Sequence, residues 1–215
     1  MKLFCLLTLT LTAAYAQVTI GSPEYRLEKV GAAPSGLPPS VLALLAKDGH
    51  RILTAAGKPV LEIWLRADAL KAAPSTEDAV SFNTIPQGAL LAAVNVPEKW
   101  ADRRGQSIKA GTYTLRYSLF PVTGDHQGVA PQRDFLLITP AKDDPKADAA
   151  PNFRELVAWS QKATGTPHPG VISIWKPEAA DAKPGLAKDG DHDWVLTAKI
   201  GDLPISMILI GSADH

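Results

Sequence analysis

Cysteine is nearly absent from this sequence: Cys5 is the single cysteine among 215 residues. It lies in an N-terminal segment that resembles a secretory signal peptide, so we expect a mature chain without thiols. Disulfide bonds, thiolate metal sites and cysteine nucleophiles are excluded for that chain, and so is a blue-copper centre, which needs a thiolate ligand. A cysteine-free exported chain of about 200 residues is more typical of a bacterial envelope than of a disulfide-rich extracellular module.

The sequence also lacks a hydrophobic run long enough to cross a bilayer, which takes roughly 20 apolar residues. The apolar run over residues 3–11 follows Lys2 and precedes the small residues Ala14 and Ala16. This order is typical of a secretory signal peptide cleaved after Ala16. We therefore expect a signal peptide over residues 1–16 and a secreted or periplasmic product without transmembrane anchoring.

Charge of one sign is not in excess, because the chain has 22 basic and 22 acidic residues. Loss of the leader with Lys2 leaves one net negative charge. No stripe of lysine and arginine stands out, so nucleic acid and anionic membranes are not expected as partners. We expect a small molecule, a glycan or an envelope protein instead.

Signatures of common hydrolases are missing as well. The sequence contains neither a G-x-S-x-G nor an H-E-x-x-H pattern, so neither a serine nucleophile elbow nor a zinc-protease mechanism is indicated. These absences favour a binding module over an enzyme, and no catalytic residue is predicted.

The chain is rich in turn residues, with 18 prolines and 16 glycines between many short apolar runs. Nine or ten strands without strand–helix–strand alternation predict an all-β fold, a single antiparallel β-sandwich domain over residues 17–215. A partly open β-barrel is the alternative architecture. The predicted strands cover residues 25–30, 51–54, 59–66, 80–85, 89–96, 112–119, 134–139, 171–175, 194–200 and 203–210.

Two short helices are predicted between the strands. The first has Pro38 and Pro39 at its start, since a first-turn proline loses no hydrogen bond, and Gly49 is placed as its left-handed end. The second has Asn152 as N-cap, Glu155 three residues later to complete a capping box, and Gly165 as its end.

The strand over residues 112–119 leads into a polar loop, and a regular strand that delivers such a loop is a place where a scaffold presents a function. Trp175 lies in a strand from which it can face outward, and an exposed tryptophan stacks on a sugar or anchors a partner. Core packing is the alternative for Trp175. The predicted ligand-binding residues are Asp125, His126, Gln127, Arg133 and Trp175.

Three histidines, His126, His168 and His192, each lie in a polar turn-like loop. Loops at one end of a sandwich converge, and three imidazoles with an open position suit zinc or copper. Their spacing matches no metal signature, so the alternative is that they are turn histidines bonded to backbone groups. No cofactor is predicted, and a zinc or copper protein or metal-dependent enzyme is the second functional hypothesis.

Charged residues near the polar loop also have a structural interpretation. Arg116, Arg133 and Asp134 are predicted to fix the base of the loop through bidentate hydrogen bonds rather than to act in catalysis. The aspartates within residues 140–151 lack the spacing of a calcium loop and are predicted to lie in a solvated loop.

The fragments AGTYTLRY, GDHQGVAPQRDFLL and GTPHPG resemble a group of uncharacterised exported bacterial proteins. The AGTYTL fragment is also similar to a separate bacterial domain built as a β-sandwich. The resemblance implies an exported β-rich domain with its site in the GDHQG and TPHPG loops, and it implies no activity, cofactor or catalytic residue. The sequence as a whole predicts an exported ligand- or protein-binding envelope module.

Overall fold

The computed structural model describes residues 24–121, 133–178 and 183–213. Twelve strands and two α-helices lie within these residues, and neither helix is long and apolar enough to cross a membrane. The strands are β1 Tyr25–Val30, β2 Gly49–Thr54, β3 Pro59–Leu65, β4 Leu90–Val96, β5 Trp100–Ala101, β6 Ser107–Ile108, β7 Gly111–Leu119, β8 Asp134–Pro140, β9 Val171–Trp175, β10 Gly185–Asp189, β11 Asp193–Ile200 and β12 Leu203–Ile210; the helices are α1 Pro39–Leu42 and α2 Phe153–Thr164.

Ten of these strands form one antiparallel sheet in the order β1-β2-β3-β4-β7-β8-β9-β12-β11-β10, and β5 and β6 form a separate small hairpin. The sheet curls so that β1 and β10 at its two ends come into contact. Near this junction Tyr25 packs edge-to-face on Trp194 of β11, with 5.3 Å between the ring centres. The predicted all-β fold with mostly antiparallel strands and two helices is confirmed, and the curled sheet fits the partly open barrel.

Strand β8 is covered on both faces, which agrees with the continuous apolar run in its sequence DFLLITP. Leu136 and Ile138 lie in the main core inside the curled sheet. Phe135 and Leu137 point to the outer face, where they pack with Leu156 of α2. The alternation follows from the period of two along a strand, and a second apolar layer exists because α2 covers the outer face.

Helix α2 has the termini that the sequence predicted. The Asn152 Oδ1 atom accepts a hydrogen bond from the Glu155 amide at 3.1 Å, and the Glu155 carboxylate accepts one from the Asn152 amide at 2.8 Å. Gly165 ends the helix with φ of 69°. A capping box and a left-handed glycine satisfy the backbone groups left free at helix ends.

The first helix is shorter than predicted, because α1 ends at Leu42 and Gly49 is the first residue of β2. Beyond the helix, the Ala46 amide donates to the Leu65 carbonyl at 2.9 Å, so this segment follows β3 instead of continuing as a helix. Gly49 faces the buried indole of Trp64, and a Cβ there would lie 2.5 Å from the Trp64 Nε1 atom. Gly49 is therefore needed for close packing and not as a helix end.

Two further predictions about strands were wrong. Residues 80–85 are not a strand; the amides of Ser81 and Phe82 donate to the Asp134 carboxylate, and the Phe82 and Ile85 side chains are buried. Strand β10 lies in a polar segment where no strand was predicted. Most of its side chains are exposed, so its sequence shows no alternation of apolar and polar residues.

A buried ion pair holds residues 140–151 against the outer face of β7. The Arg116 Nε and Nη2 atoms donate to the Asp144 carboxylate at 2.6 and 2.7 Å, and both side chains are at most 1% exposed. The other Arg116 donors reach the carbonyl oxygens of Gly88, Lys146 and Ala149. The prediction of a solvated loop is therefore wrong at Asp144, because its partner arginine lies 28 residues earlier in the chain.

Candidate ligand-binding groove

Arg133 fixes the base of the polar loop, as predicted, but through backbone groups. The Phe120 amide donates to the Arg133 carbonyl at 2.9 Å, and the Arg133 Nε atom donates to the Phe120 carbonyl at 3.0 Å. The other end of the guanidinium donates to the Asp78 carbonyl and to the Glu77 carboxylate. Arg133 thus joins the base of the loop to residues 77–78.

Asp134 does not pair with an arginine, which corrects the predicted tie. Its fully buried carboxylate accepts hydrogen bonds from the Ser81 and Phe82 amides and from the Tyr117 hydroxyl at 2.7 Å. Burial, together with the hydrogen bond and the charge of Asp134, raises the pKa of Tyr117 above its ordinary value of 10.0. Tyr117 therefore remains a hydrogen-bond donor throughout the neutral range.

A pocket of about 520 Å³ opens beside this loop base, and we call it the loop pocket. Its described walls mix apolar and polar side chains, and Arg133 and Glu77 stand together on one of them as an ion pair. Tyr117 also lines this pocket. Of the predicted ligand-binding residues, Arg133 is the one placed here.

A second pocket of about 310 Å³ lies between α2 and the outer face of β8, and we call it the helix pocket. Its apolar floor includes Phe120 and Phe135, whose rings stack with centres 4.1 Å apart and 17° between their planes. Such parallel aromatic packing makes a flat, rigid wall. The lining residues are Arg104, Phe120, Phe135, Leu137, Phe153, Val157, Pro167, His168, Pro169 and Val171.

The two pockets are neighbours, because the side chains of Phe120 and Phe153 line both of them. We call the two together the groove. Phe120 belongs to the segment that follows β7, and Phe153 is the first residue of α2. The groove therefore lies at the described base of the loop that the sequence singled out, and α2 forms one of its sides.

The β5–β6 hairpin closes one end of the helix pocket. Asp102, in the turn of this hairpin, is buried and accepts hydrogen bonds from the amides of Arg104, Gln106 and Val171. The Arg104 Nη2 atom donates to the Asp102 carboxylate at 3.3 Å and to the Pro169 carbonyl at 2.6 Å. These bonds hold the Arg104 guanidinium at the pocket wall.

His168 lies on the wall of the helix pocket in a loop that is fixed through its backbone. The Thr164 and Thr166 hydroxyls donate to the His168 carbonyl at 2.8 and 3.1 Å, and the His168 amide donates to the Thr166 hydroxyl. The imidazole is exposed and has no hydrogen-bond partner within the part of the chain that the structure describes. The loop thus presents a free imidazole beside Arg104.

The structure does not bring the described histidines to one pocket. His192 is exposed and lines a third pocket of about 200 Å³ with Tyr25 and Trp194. In residues 24–121, 133–178 and 183–213, no three His, Cys, Asp or Glu side chains are placed to hold a metal ion. His126 lies outside the described residues, so the three-histidine metal site stays a prediction.

Among the other predicted ligand-binding residues, Asp125 and Gln127 also lie outside the described residues. Trp175 is half-buried at the end of β9 and lines none of the three pockets named above. Arg104, Phe153 and Val157 line the helix pocket but were not among the predicted ligand-binding residues. Arg104 lies between two predicted strands, and Phe153 and Val157 lie in the second predicted helix, where the sequence indicates no pocket.

Comparison of the chain with protein-family models, curated proteins and solved structures found no match.

Proposed function

We propose that this protein is a secreted or periplasmic binding module that takes a small, largely apolar molecule into the groove. The observation that carries the proposal is the pair of adjoining pockets of about 520 and 310 Å³ that share Phe120 and Phe153. Ligand pockets typically have volumes of roughly 300–1,000 Å³, apolar and aromatic walls and a few polar groups. The helix pocket has this composition, with one arginine and one histidine among apolar side chains.

The chemistry of the helix pocket supports binding rather than catalysis. Neither a carboxylate nor a hydroxyl side chain is among its described lining residues, so His168 has no acidic or nucleophilic partner there. A nucleophile needs a base within hydrogen-bond reach, and a catalytic histidine is usually oriented by a third group. A hydrophobic ligand needs neither of these arrangements.

A neutral apolar probe tests the binding function. We expect N-phenyl-1-naphthylamine to bind the purified mature protein at one site, with a rise in fluorescence as it enters the pocket. Val157→Trp places a large ring in the helix pocket and is expected to weaken binding by roughly tenfold or more. Ala158→Trp adds the same ring at the next, exposed position of α2 and is the matched control.

The proposal is wrong if the probe does not bind the wild-type protein, or if the Val157→Trp and Ala158→Trp variants bind it equally well. Thermal unfolding of both variants shows whether a loss of binding reflects a filled pocket or a lost fold. A glycan or an envelope protein that binds while the probe does not would support the other partner classes that the sequence leaves open.

Export is a separate part of the proposal and rests on the N-terminal segment with its apolar run and small residues. Mass spectrometry of the protein recovered from a bacterial host tests it. We expect the mature chain to begin at Gln17 and to be found in the periplasmic or extracellular fraction. Recovery of a cytoplasmic chain that still carries residues 1–16 would contradict export.

A further inference from the structure

We propose that the ligand of the groove is an apolar molecule that carries a carboxylate, and that Arg104 holds this carboxylate in the helix pocket. The inference rests on the proposed binding function and specifies the chemical class of the ligand. It rests on the Arg104 guanidinium, which lines an otherwise largely apolar pocket and has N–H groups without a hydrogen-bond acceptor among the described residues.

The donors of Arg104 are only partly used. Its Nη2 atom bonds Asp102 and Pro169, whereas neither Nε nor Nη1 has an acceptor within the described residues. The Nε atom is buried, whereas the Arg104 side chain as a whole is 15% exposed and lines the helix pocket. A guanidinium that offers free N–H donors beside apolar walls is suited to a carboxylate.

Asp102 contacts only one of the three guanidinium nitrogen atoms of Arg104. Its carboxylate accepts three backbone amides, and its contact with the Arg104 Nη2 atom is long at 3.3 Å. The Asp102 oxygens therefore face the hairpin turn and the start of β9, and Arg104 presents its other nitrogen atoms elsewhere. Asp102 acts as the group that positions Arg104.

The surroundings of the pocket favour a negative rather than a positive ligand group. No acidic side chain is among the described residues that line the helix pocket, and the exposed imidazole of His168 supplies a further N–H donor. Glu77 lines only the loop pocket, where it is paired with Arg133. An ammonium group in the helix pocket would meet a guanidinium and no lining carboxylate, which makes a cation an unfavourable ligand.

The apolar walls of the helix pocket indicate which kind of group the ligand carries besides its carboxylate. Phe120, Phe135 and Leu137 on the sheet side face Phe153 and Val157 on the helix side. A flat or extended hydrocarbon body fills such a space, because stacked rings and aliphatic side chains offer contact area and no hydrogen bonds. Aromatic and medium-chain carboxylates have this combination of an apolar body and one anionic end.

The test compares 1-naphthoate, which is ionised at pH 7, with 1-naphthalenemethanol, which has the same ring system and no charge. By calorimetry we expect the wild-type protein to bind 1-naphthoate roughly tenfold or more tightly, as a charge-assisted hydrogen bond supplies. In Arg104→Gln this preference is expected to fall to about twofold or less. The affinity for 1-naphthalenemethanol should not change.

Arg103→Gln is the matched control. Arg103 is the neighbouring arginine in the same turn, and its Nε atom bonds the Asp193 carboxylate at 2.9 Å instead of lining the helix pocket. Its replacement should leave the preference for 1-naphthoate unchanged. If Arg104→Gln does not fold, Arg104→Lys replaces it: one ammonium group cannot bond Pro169 and the ligand in the fork geometry of a guanidinium, so the preference should fall severalfold.

The possible results separate this inference from the binding function itself. If both compounds bind the wild-type protein equally well, the carboxylate inference is wrong and the binding function stands. A preference that survives undiminished in Arg104→Gln also overturns the inference, since the anion is then held by other groups; in Arg104→Lys the contradicting result is a preference equal to that of the wild type. If neither these compounds nor the neutral probe binds, the proposed binding function is wrong and the inference fails with it.

Discussion

The buried ion pair between Arg116 and Asp144 leads to a large predicted effect of a single substitution on stability. All five N–H donors of Arg116 have acceptors: two bonds go to Asp144 and three to backbone carbonyl groups. The Thr114 hydroxyl also donates to Asp144 at 2.6 Å. We predict that Asp144→Ala strongly destabilises the protein, because these three donations to Asp144 lose their acceptor at once.

The expected magnitude follows from what is left behind. After Asp144→Ala, the Arg116 guanidinium stays buried with its charge uncompensated and two N–H groups without acceptors. Removing one partner of a buried pair typically costs about 3–5 kcal/mol of unfolding free energy. Since whole proteins are stable by about 5–15 kcal/mol, this loss would take a large part of the total. Asp144→Asn keeps one carbonyl acceptor and should cost less.

Urea unfolding followed by tryptophan fluorescence measures the loss of unfolding free energy. All five tryptophans lie after the predicted signal peptide, so the mature chain keeps them as reporters. Glu98→Ala is the matched control. Glu98 pairs with Lys58 at 2.7 Å, nearly the same distance as the buried pair, but both of these side chains are more than half exposed. Exposed pairs contribute about 0–1 kcal/mol, so this variant should unfold close to the wild type.

The reasoning is refuted if Asp144→Ala lowers the unfolding free energy by no more than Glu98→Ala does. Such a result would mean that water reaches Arg116 when Asp144 is removed, or that the guanidinium leaves the protein interior. A double-mutant cycle with Arg116→Met adds a second check. Residues that share hydrogen bonds should give a coupling energy of about 0.5–3 kcal/mol.

Two further stability predictions follow from β2 and its neighbours. Gly49→Ala puts a Cβ against the Trp64 indole and should cost about 1–3 kcal/mol of unfolding free energy in the same urea assay. Gly36→Ala is the control, because nothing lies within 4 Å of the new Cβ, and it should be near neutral. Burial and then the charge of Lys29 lower the pKa of His50 below 6.5, so the unfolded chain takes up this proton first as the pH falls. The unfolding free energy should therefore decline as the pH falls from 6.5 to the lowered pKa. Unfolding experiments at a series of pH values should show that His50→Asn lacks this part of the decline. An equal decline in the wild type and the variant would contradict the prediction.

Elements whose signals lie close together in the chain were predicted well from the sequence. The capping box and terminal glycine of α2 depend on Asn152, Glu155 and Gly165, and each of them acts on groups within one turn of the helix. Strand β8 was predicted over residues 134–139 from its own residues, because an apolar run without alternation is typical of a strand covered on both faces. Local chemistry decides these elements, so local patterns reveal them.

Features that depend on distant partners could not be predicted in this way. Asp144 looked like a surface acid because nothing near it in the chain indicates Arg116, 28 residues away. Arg104 looked like part of a connector, although its carbonyl partner Pro169 lies 65 residues further on. The helix pocket itself is lined by residues from separate parts of the chain, among them Arg104, Phe135 and Val157, so no local spacing indicates it.

Buried aspartates give these distant contacts a common physical basis. Asp102, Asp134 and Asp144 each accept hydrogen bonds from groups far away in the chain, and together they fix the hairpin, residues 81–82 and residues 140–151. A buried carboxylate whose hydrogen-bond donors are all present fixes the position of the loop that supplies them, because moving the loop would leave the buried charge without hydrogen bonds. The groove walls near these loops are therefore held by polar anchors, while Val157 of α2 is only partly buried. It follows that substitutions at Val157 should change ligand affinity more than stability, and substitutions at Asp144, whose side-chain partners Thr114 and Arg116 line neither pocket, should do the reverse.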